Sequence, residues 1–372
     1  MFIKKYYPKK KVIYINGRFL TQTITGVQRY ALEIVKIIDR FISKGIIDKE
    51  KYEFILLIQR RNQHSLELNN IQIQKIGNLK GQLWEQLELP FFSSGYLLVN
   101  LCNTAPVLKT NQVLTIHDAA ASANKENFSL FFRIWYQLLH RILPFRTKRI
   151  LTVSNFSKNE LLKYYPIQKD KMNVVYLGIE HMNDVQLDNK ILCQYDLLST
   201  KYILAVSSIN PNKNFNGIIE ALKYIKSEEV QIVIVGHRDN PIYKEADIPP
   251  STKIKFVGYV TDEELKALYK NASCFVFPSF YEGFGLPPLE AMSSGCPVIA
   301  SNRASLPEVL GDSALFCDPE NPRDIAEKIE ILLNNHNIRA VYQQRGLEKS
   351  RQYSWERCGK ELIEVITEVI DL

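Results

Sequence analysis

The sequence predicts an α/β protein made of two Rossmann-like halves, each with a parallel sheet, facing one another across a cleft. Three observations carry this expectation. The chain has 372 residues, too long for one ordinary core and suited to two domains. Short β-branched runs alternate with longer amphipathic stretches, the pattern of parallel α/β construction. The alternation lapses once, after Gly178, where IEHMNDVQLDNKILCQYDLLSTK loses periodicity, and then restarts.

In the first half the strand-like runs are KVIYIN (Lys11 to Asn16), YEFILLI (Tyr52 to Ile58), YLLVNL, QVLTIH (Gln112 to His117), RILTVS and NVVYLG (Asn173 to Gly178). Thr25 with Gln28 forms a capping-box pattern that opens a helix from Val27 to about Phe41. The second half supplies YILAVS, QIVIVG, IKFVG, CFVFPS and CPVIAS. Thr261 with Glu264, and Ser305 with Glu308, are two further capping boxes, each near the end of a predicted strand. The terminal YSWERCGKELIEVITEVI reads as an amphipathic helix. The expected units are therefore 1–182, 183–352 and a closing helix, 353–372.

Hydrophobic residues make up 46% and charged residues 23% of the chain, values of a soluble globular protein. No apolar run approaches the ~20 residues that cross a bilayer. The opening MFIKKYYPKKK is basic but has no apolar stretch behind it, so it does not read as a secretory signal. Six scattered cysteines without a C-x-x-C pair read as reduced, mostly buried thiols of a cytoplasmic protein.

The net charge of +7 is concentrated in two places. Lys4, Lys5, Lys9, Lys10 and Lys11 surround Tyr6 and Tyr7. In FFRIWYQLLHRILPFRTKR, Arg133, His140, Arg141, Arg146, Lys148 and Arg149 alternate with large apolar residues. Such mixtures suit an anionic membrane surface, here the inner face of the cell membrane, or else form an ordinary solvated face on a core helix. No helix-turn-helix, zinc or RNP signature points to nucleic acid.

The richest stretch is SFYEGFGLPPLEAMSSGCPVIAS, in which Glu282 and Glu290 flank Gly283, Phe284, Gly285, Leu286 and two prolines. Proline suits the first turn of a helix, so the glycines lie where a loop enters a helix N-terminus. Such a terminus favours an anion, above all phosphate. A carboxylate on each side of a phosphate cradle fits a ligand with hydroxyls on both sides, the layout of a nucleotide sugar.

The run from Phe256 to Asp318, which contains that stretch, resembles the retaining GT-B glycosyltransferases of family 4, with Glu282 and Glu290 on the E-x7-E motif. Val206 to Phe215 resembles the family's phosphate-binding segment. INGRFLTQTITGVQRY, GQLWEQLELP, CNTAP and VLTIHD resemble the subset that includes bacterial mannosyl- and rhamnosyltransferases for surface polysaccharides. The resemblance implies a GT-B fold whose closing helix returns to an acceptor-binding N-terminal domain, with the donor in the C-terminal domain.

It also implies roles. Glu290 accepts the ribose hydroxyls, and Glu282 holds a hydroxyl of the hexose, with Gly283 to Leu286 at the distal phosphate. Lys213 neutralises the diphosphate; Ser208 stands where the family often has Arg, and Asn214 shapes the turn. Tyr259 and Val260 hold the base. Gly26 approaches the donor phosphate, and His117 with Asp118 meets the transferred sugar. Asn103 and Thr104 line the acceptor side. Arg29 either joins them in the cleft or lies on its helix surface.

The implied activity is hexose transfer to a hydroxyl of a glycan or lipid-linked oligosaccharide, in capsule, O-antigen or lipopolysaccharide synthesis. GDP-mannose is the favoured donor, then dTDP-rhamnose, then UDP-sugars. The sequence has no Asp-x-Asp, so no metal and no cofactor are expected. A sugar-nucleotide epimerase, a phosphorylase or a non-catalytic nucleotide-sugar-binding subunit could share the architecture.

Overall fold

The computed structural model describes residues 10–62, 66–206, 211–227, 230–236 and 254–371. Ser208 and the basic residues Lys4, Lys5 and Lys9 lie outside the described residues. The strands are β1 (Lys11–Asn16), β2 (Tyr52–Gln59), β3 (Gln72–Ile76), β4 (Leu97–Asn100), β5 (Gln112–Thr115), β6 (Arg149–Thr152) and β7 (Met172–Val174), then β8 (Tyr202–Val206), β9 (Gln231–Val235), β10 (Ile254–Gly258), β11 (Cys274–Phe277), β12 (Val298–Ser301) and β13 (Leu315–Cys317). The principal helices are α1 (Gly26–Ser43), α2 (Leu130–Arg146), α3 (Asn155–Tyr164), α4 (Phe215–Leu222), α5 (Asp262–Asn271), α6 (Leu286–Ser293), α7 (Pro322–Asn334), α8 (His336–Ser350) and α9 (Trp355–Asp371).

The strands form two sheets, a 7-stranded one in the order β3-β2-β1-β4-β5-β6-β7 and a 6-stranded one in the order β10-β9-β8-β11-β12-β13. All the pairings are parallel, as the βα alternation requires. The order reverses between β1 and β4 in one sheet and between β8 and β11 in the other. Crevices at such reversals, beyond the carboxyl ends of the strands, are where ligands bind in open α/β sheets.

Two strands lacked a legible signal. β3 (QIQKI) is a polar edge strand, and β13 is three residues long. The strand after Asn173 is also shorter than its apolar run suggests. Its ladder with β6 runs from Met172 to Val174, and the chain then turns toward the second domain.

The last helix returns to the first domain. α9 buries Trp355, Cys358, Leu362, Val365, Ile366 and Val369, a stripe at helical spacing, against a matching stripe on α1 that includes Ile34, Ile37, Ile38 and Phe41. Gly359 permits the close approach: a Cβ there would lie 2.4 Å from Ile37 Cγ2. Near the other end Lys148 donates to the Val369 carbonyl.

Of the three capping boxes, two form. Gln28 accepts from the Thr25 N–H at 3.2 Å, and Thr261 and Glu264 exchange bonds at 2.8 and 3.3 Å. The Ser305–Glu308 pair does not. Ser305 donates instead to the Glu282 carbonyl at 2.9 Å. Glu308 crosses to the other domain, accepting from the N–H groups of Asn155 and Phe156 at 2.7 and 2.8 Å and from Tyr176 OH at 2.8 Å. A carboxylate meets more donors at the bare N-terminus of α3 than at its own helix, and that outcompetes the local box. Glu308→Ala is expected to lower unfolding free energy by about 1–2 kcal/mol. A denaturation midpoint equal to wild type would show that this cross-domain cap contributes nothing.

Candidate active site

The loop from β11 into α6 is the centre of the cleft. Gly285 caps α6 with φ 101°, a left-handed conformation that favours glycine, and a Cβ there would lie 2.5 Å from Leu306. Behind the loop, the Glu282 carbonyl is taken by Ser305, and the Gly283 carbonyl accepts from Ser154 Oγ at 2.6 Å and Ser157 Oγ at 3.0 Å. In a trans peptide the following N–H points the opposite way. The N–H groups of Gly283 and Phe284 therefore turn away from those serines. Neither they nor the Gly285 N–H has a partner among the described residues.

Three open amides at the start of a helix make an anion cradle. Lys213 stands beside it, its Nζ 2.6 Å from Glu282 Oε1 and 5.0 Å from the centre of the Phe277 ring. The turn carrying Lys213, Pro211–Lys213, is fixed from two sides. Phe280 N donates to the Asn212 carbonyl at 2.8 Å, and Asn124 and Asn127 of the first domain donate to Asn212 Oδ1 at 2.9 and 2.7 Å. Asn214, with φ 52°, accepts from Gly217 N and donates to the Pro319 carbonyl. Its amide therefore shapes the loop and caps α4.

The first domain meets this loop at backbone distance. A Cβ on Gly283 would lie 2.8 Å from the His117 carbonyl and 3.0 Å from Asp118 Cβ. Glycine is thus required for the two halves of the site to touch. Phe284 is buried, edge-on to Tyr353 at 5.5 Å, and Leu286 is buried too, so at these positions only the backbone can serve a ligand.

His117 is buried, and its Nε2–H donates to the Leu101 carbonyl at 3.0 Å, which leaves Nδ1 as the acceptor of the ring. Burial lowers its pKa to about 4, so it is neutral at pH 7 and suited to receive a hydroxyl proton in a hydrogen bond. Asp118 is pushed up, first by burial and also by Glu282, while the Ala120 N–H and Lys213 hold it down. Asn103, at φ 61°, accepts from the His117 N–H at 2.7 Å and so sets the path of the chain there.

Other expected residues fall in different settings. Thr104 is buried beneath Arg18, whose guanidinium donates to Thr104 Oγ1 at 2.7 Å and to Glu85 Oε1 at 3.1 Å. It is a support of the acceptor side and not part of its open surface. Arg29 spans the cleft, 2.6 Å from Asp262 at the start of α5. Gly26 opens α1 onto free space, since a Cβ there would meet nothing within 4 Å. Tyr259 is exposed, and Val260 packs on the core beside it. Glu290 is buried on α6, with His181 Nε2 3.1 Å from Oε1 and Tyr269 OH 3.3 Å from Oε2.

Sequence reasoning missed Ser154, Ser157, Asn124, Asn127, Asn212, Arg18 and Glu85. Ser154 ends the run RILTVS and caps α3, its Oγ accepting from Ser157 N at 3.0 Å. Nothing local told of its second bond across the cleft. His140, counted among the surface cations, is buried. It donates Nε2–H to the Asn103 carbonyl at 2.8 Å, and burial lowers its pKa to about 4.

His117 and His140 both fall from the ordinary 6.5 to about 4 on folding. Between those values the unfolded chain takes up protons that the folded chain refuses, so their contribution to stability is full above pH 6.5 and is lost as pH falls toward 4. Urea midpoints measured from pH 7.5 downward are expected to decline over that window, and less steeply in His140→Phe. Parallel slopes for the two proteins would contradict the assignment.

Comparison with known proteins agrees with this geometry. Residues 197–349 match the family described as glycosyl transferases group 1, and residues 90–182 match glycosyltransferase family 4. O-antigen chain mannosyltransferase B of Escherichia coli is 35% identical over 235 residues, which cover 60% of this chain and 61% of that one. O-antigen chain mannosyltransferase RfbU of Salmonella typhimurium is 30% identical over 235 residues, covering 62% and 63%. The chain thus spans a little over three fifths of the length of these relatives. The solved structure of Anabaena Alr3699/HepE in complex with UDP and glucose superposes with a TM-score of 0.74 at 16% identity, covering 97% of this chain and 100% of that one. Two facing parallel sheets, an anion cradle on the second and family matches in both halves have one reading: residues 90–182 form a glycosyltransferase family 4 region and residues 197–349 a glycosyl transferases group 1 domain, on a GT-B fold.

Proposed function

We propose that the protein transfers a hexose, mannose from GDP-mannose before rhamnose from dTDP-rhamnose or a UDP-sugar, to a hydroxyl of a glycan or lipid-linked oligosaccharide in surface-polysaccharide synthesis. The three open amides at the start of α6, beside Lys213, carry this reading. They suit the diphosphate of the donor, and Glu282, already at 2.6 Å from Lys213, suits a hexose hydroxyl on one side. Glu290 suits the ribose on the other. The mannosyltransferase names of the relatives favour mannose.

Charge develops on the leaving diphosphate as the C1–O bond breaks. Lys213 and the amides stabilise it in place, without the reorganisation that water would need. Retention proceeds by attack from the face of the leaving group. The acceptor oxygen bonds to C1 while its proton passes to the departing phosphate oxygen. Neutral His117 accepts from a hydroxyl of the transferred sugar and takes no part in proton transfer. No metal takes part in this scheme, and no metal-binding cluster of His, Cys, Asp or Glu occurs among the described residues.

Acceptor-dependent release of GDP from GDP-mannose, insensitive to EDTA, is the expected result. Lys213→Ala should lower kcat about 10²–10³-fold. Conversion of the donor without acceptor would instead make the protein an epimerase. Nucleotide binding without turnover would make it a binding subunit.

A peripheral place at an anionic membrane belongs to the same proposal. No helix among the described residues is long and apolar enough to cross a membrane. On α2, however, Phe131, Ile134, Leu138, Ile142 and Phe145 form a stripe at helical spacing that faces outward, with Phe131 81% and Phe145 68% exposed. Exposed Arg141 and partly buried Arg133 flank it. Vesicles containing phosphatidylglycerol are expected to sediment the protein, phosphatidylcholine vesicles much less so, and Phe131→Ser with Phe145→Ser to weaken the first. Equal sedimentation with both lipids would remove the anionic surface from the proposal.

A further inference from the structure

Glu290 lies in the second turn of α6, past the open amides at the helix start, and is buried. Something else must therefore aim its carboxylate. Oε1 faces His181 Nε2 at 3.1 Å, and Oε2 faces Tyr269 OH at 3.3 Å. Burial and the nearby Glu290 carboxylate keep the tyrosine protonated, hence a donor. A carboxylate accepts about four hydrogen bonds. With one protein donor on each oxygen, one position on each remains, which matches two neighbouring hydroxyls.

His181 sits in the short helix Glu180–Asn183 that links the domains. Its other nitrogen, Nδ1, lies 3.0 Å from Trp355 Nε1. An indole N–H can only donate. Nδ1 is therefore the acceptor, and the ring proton must sit on Nε2, directed at Glu290. Trp355, 1% exposed, begins α9. Glu180 holds its backbone N–H at 2.6 Å, and Gly178 passes so close that a Cβ would lie 1.9 Å from that nitrogen. Beyond Trp355, the Tyr30 ring lies 6.3 Å away and itself stands edge-on to His117 at 4.9 Å. One buried row of rings thus runs from the sugar side of the cleft to the ribose side.

We propose that His181 is a positioning residue for ribose recognition. It aims Glu290 with a proton whose place on the ring is dictated by Trp355, so the donor domain reads the ribose only when α9 is seated on the acceptor domain. This rests on the reading of Glu290 as the ribose acceptor.

The test is the ratio of dissociation constants for 2′,3′-dideoxy-GDP and GDP, with the matching UDP pair in parallel, measured by calorimetry on the full chain. Wild type should prefer the ribonucleotide about ten-fold or more. His181→Phe keeps the ring and loses both nitrogens, and it should shrink that ratio at least about three-fold. Trp355→Phe should shrink it as well. His181→Gln, whose amide N–H reaches toward the same oxygen, should restore most of it. A purely structural role would weaken both nucleotides equally and leave the ratio unchanged; that outcome in His181→Phe overturns the proposal. Glu290→Ala separates the two levels. If it collapses the ratio while His181→Phe does not, only the positioning role fails. If Glu290→Ala leaves the ratio intact, the ribose reading fails and takes the proposal with it.

Discussion

The site depends on a backbone contact. Gly283, in the loop that opens α6, lies against the His117 carbonyl and Asp118 with no side chain between them. Everything chemical is arranged around that point. The serines of α3 can reach the Gly283 carbonyl only because the domains meet there, and by taking that carbonyl they turn the next amide the other way. A single methyl group at this position would separate the halves, and the amides, the lysine turn and the histidine would no longer face one space.

Preorganisation follows from the same contact. Lys213 is held between the Glu282 carboxylate and the Phe277 ring, and its turn is pinned by asparagines of the opposite domain. Buried His117 and His140 are uncharged, so the positive charge placed at the cradle comes from Lys213 and the helix dipole. A doubly charged leaving group then meets fixed partners instead of mobile water, which is where low-dielectric sites gain most over solution.

Much of this was legible in the sequence because it is local. Periodicity located most strands, glycine and proline marked the helix start at Leu286, and Thr25–Gln28 and Thr261–Glu264 marked two caps. What escaped was long-range. Ser305 and Glu308 satisfy every local rule for a capping box, yet Glu308 finds better donors 153 positions away. His140 reads as one more cation on a basic helix, but its register turns it inward to the Asn103 carbonyl. Thr104 follows a strand toward the cleft, and only the fold places Arg18 over it. The polar strand β3 lacked a hydrophobic signal because an edge strand needs little burial. In the first three of these cases a partner distant in sequence overrode a neighbour.

The return of α9 has a consequence for synthesis. The apolar stripe on α1 is complete by Ser43, yet the helix that covers it begins only at Trp355. During translation the first domain must wait, with Ile37 and Phe41 uncovered, while the whole second domain emerges. Its closure therefore follows synthesis of the second domain, and the interval is one in which a holdase chaperone has a ready target.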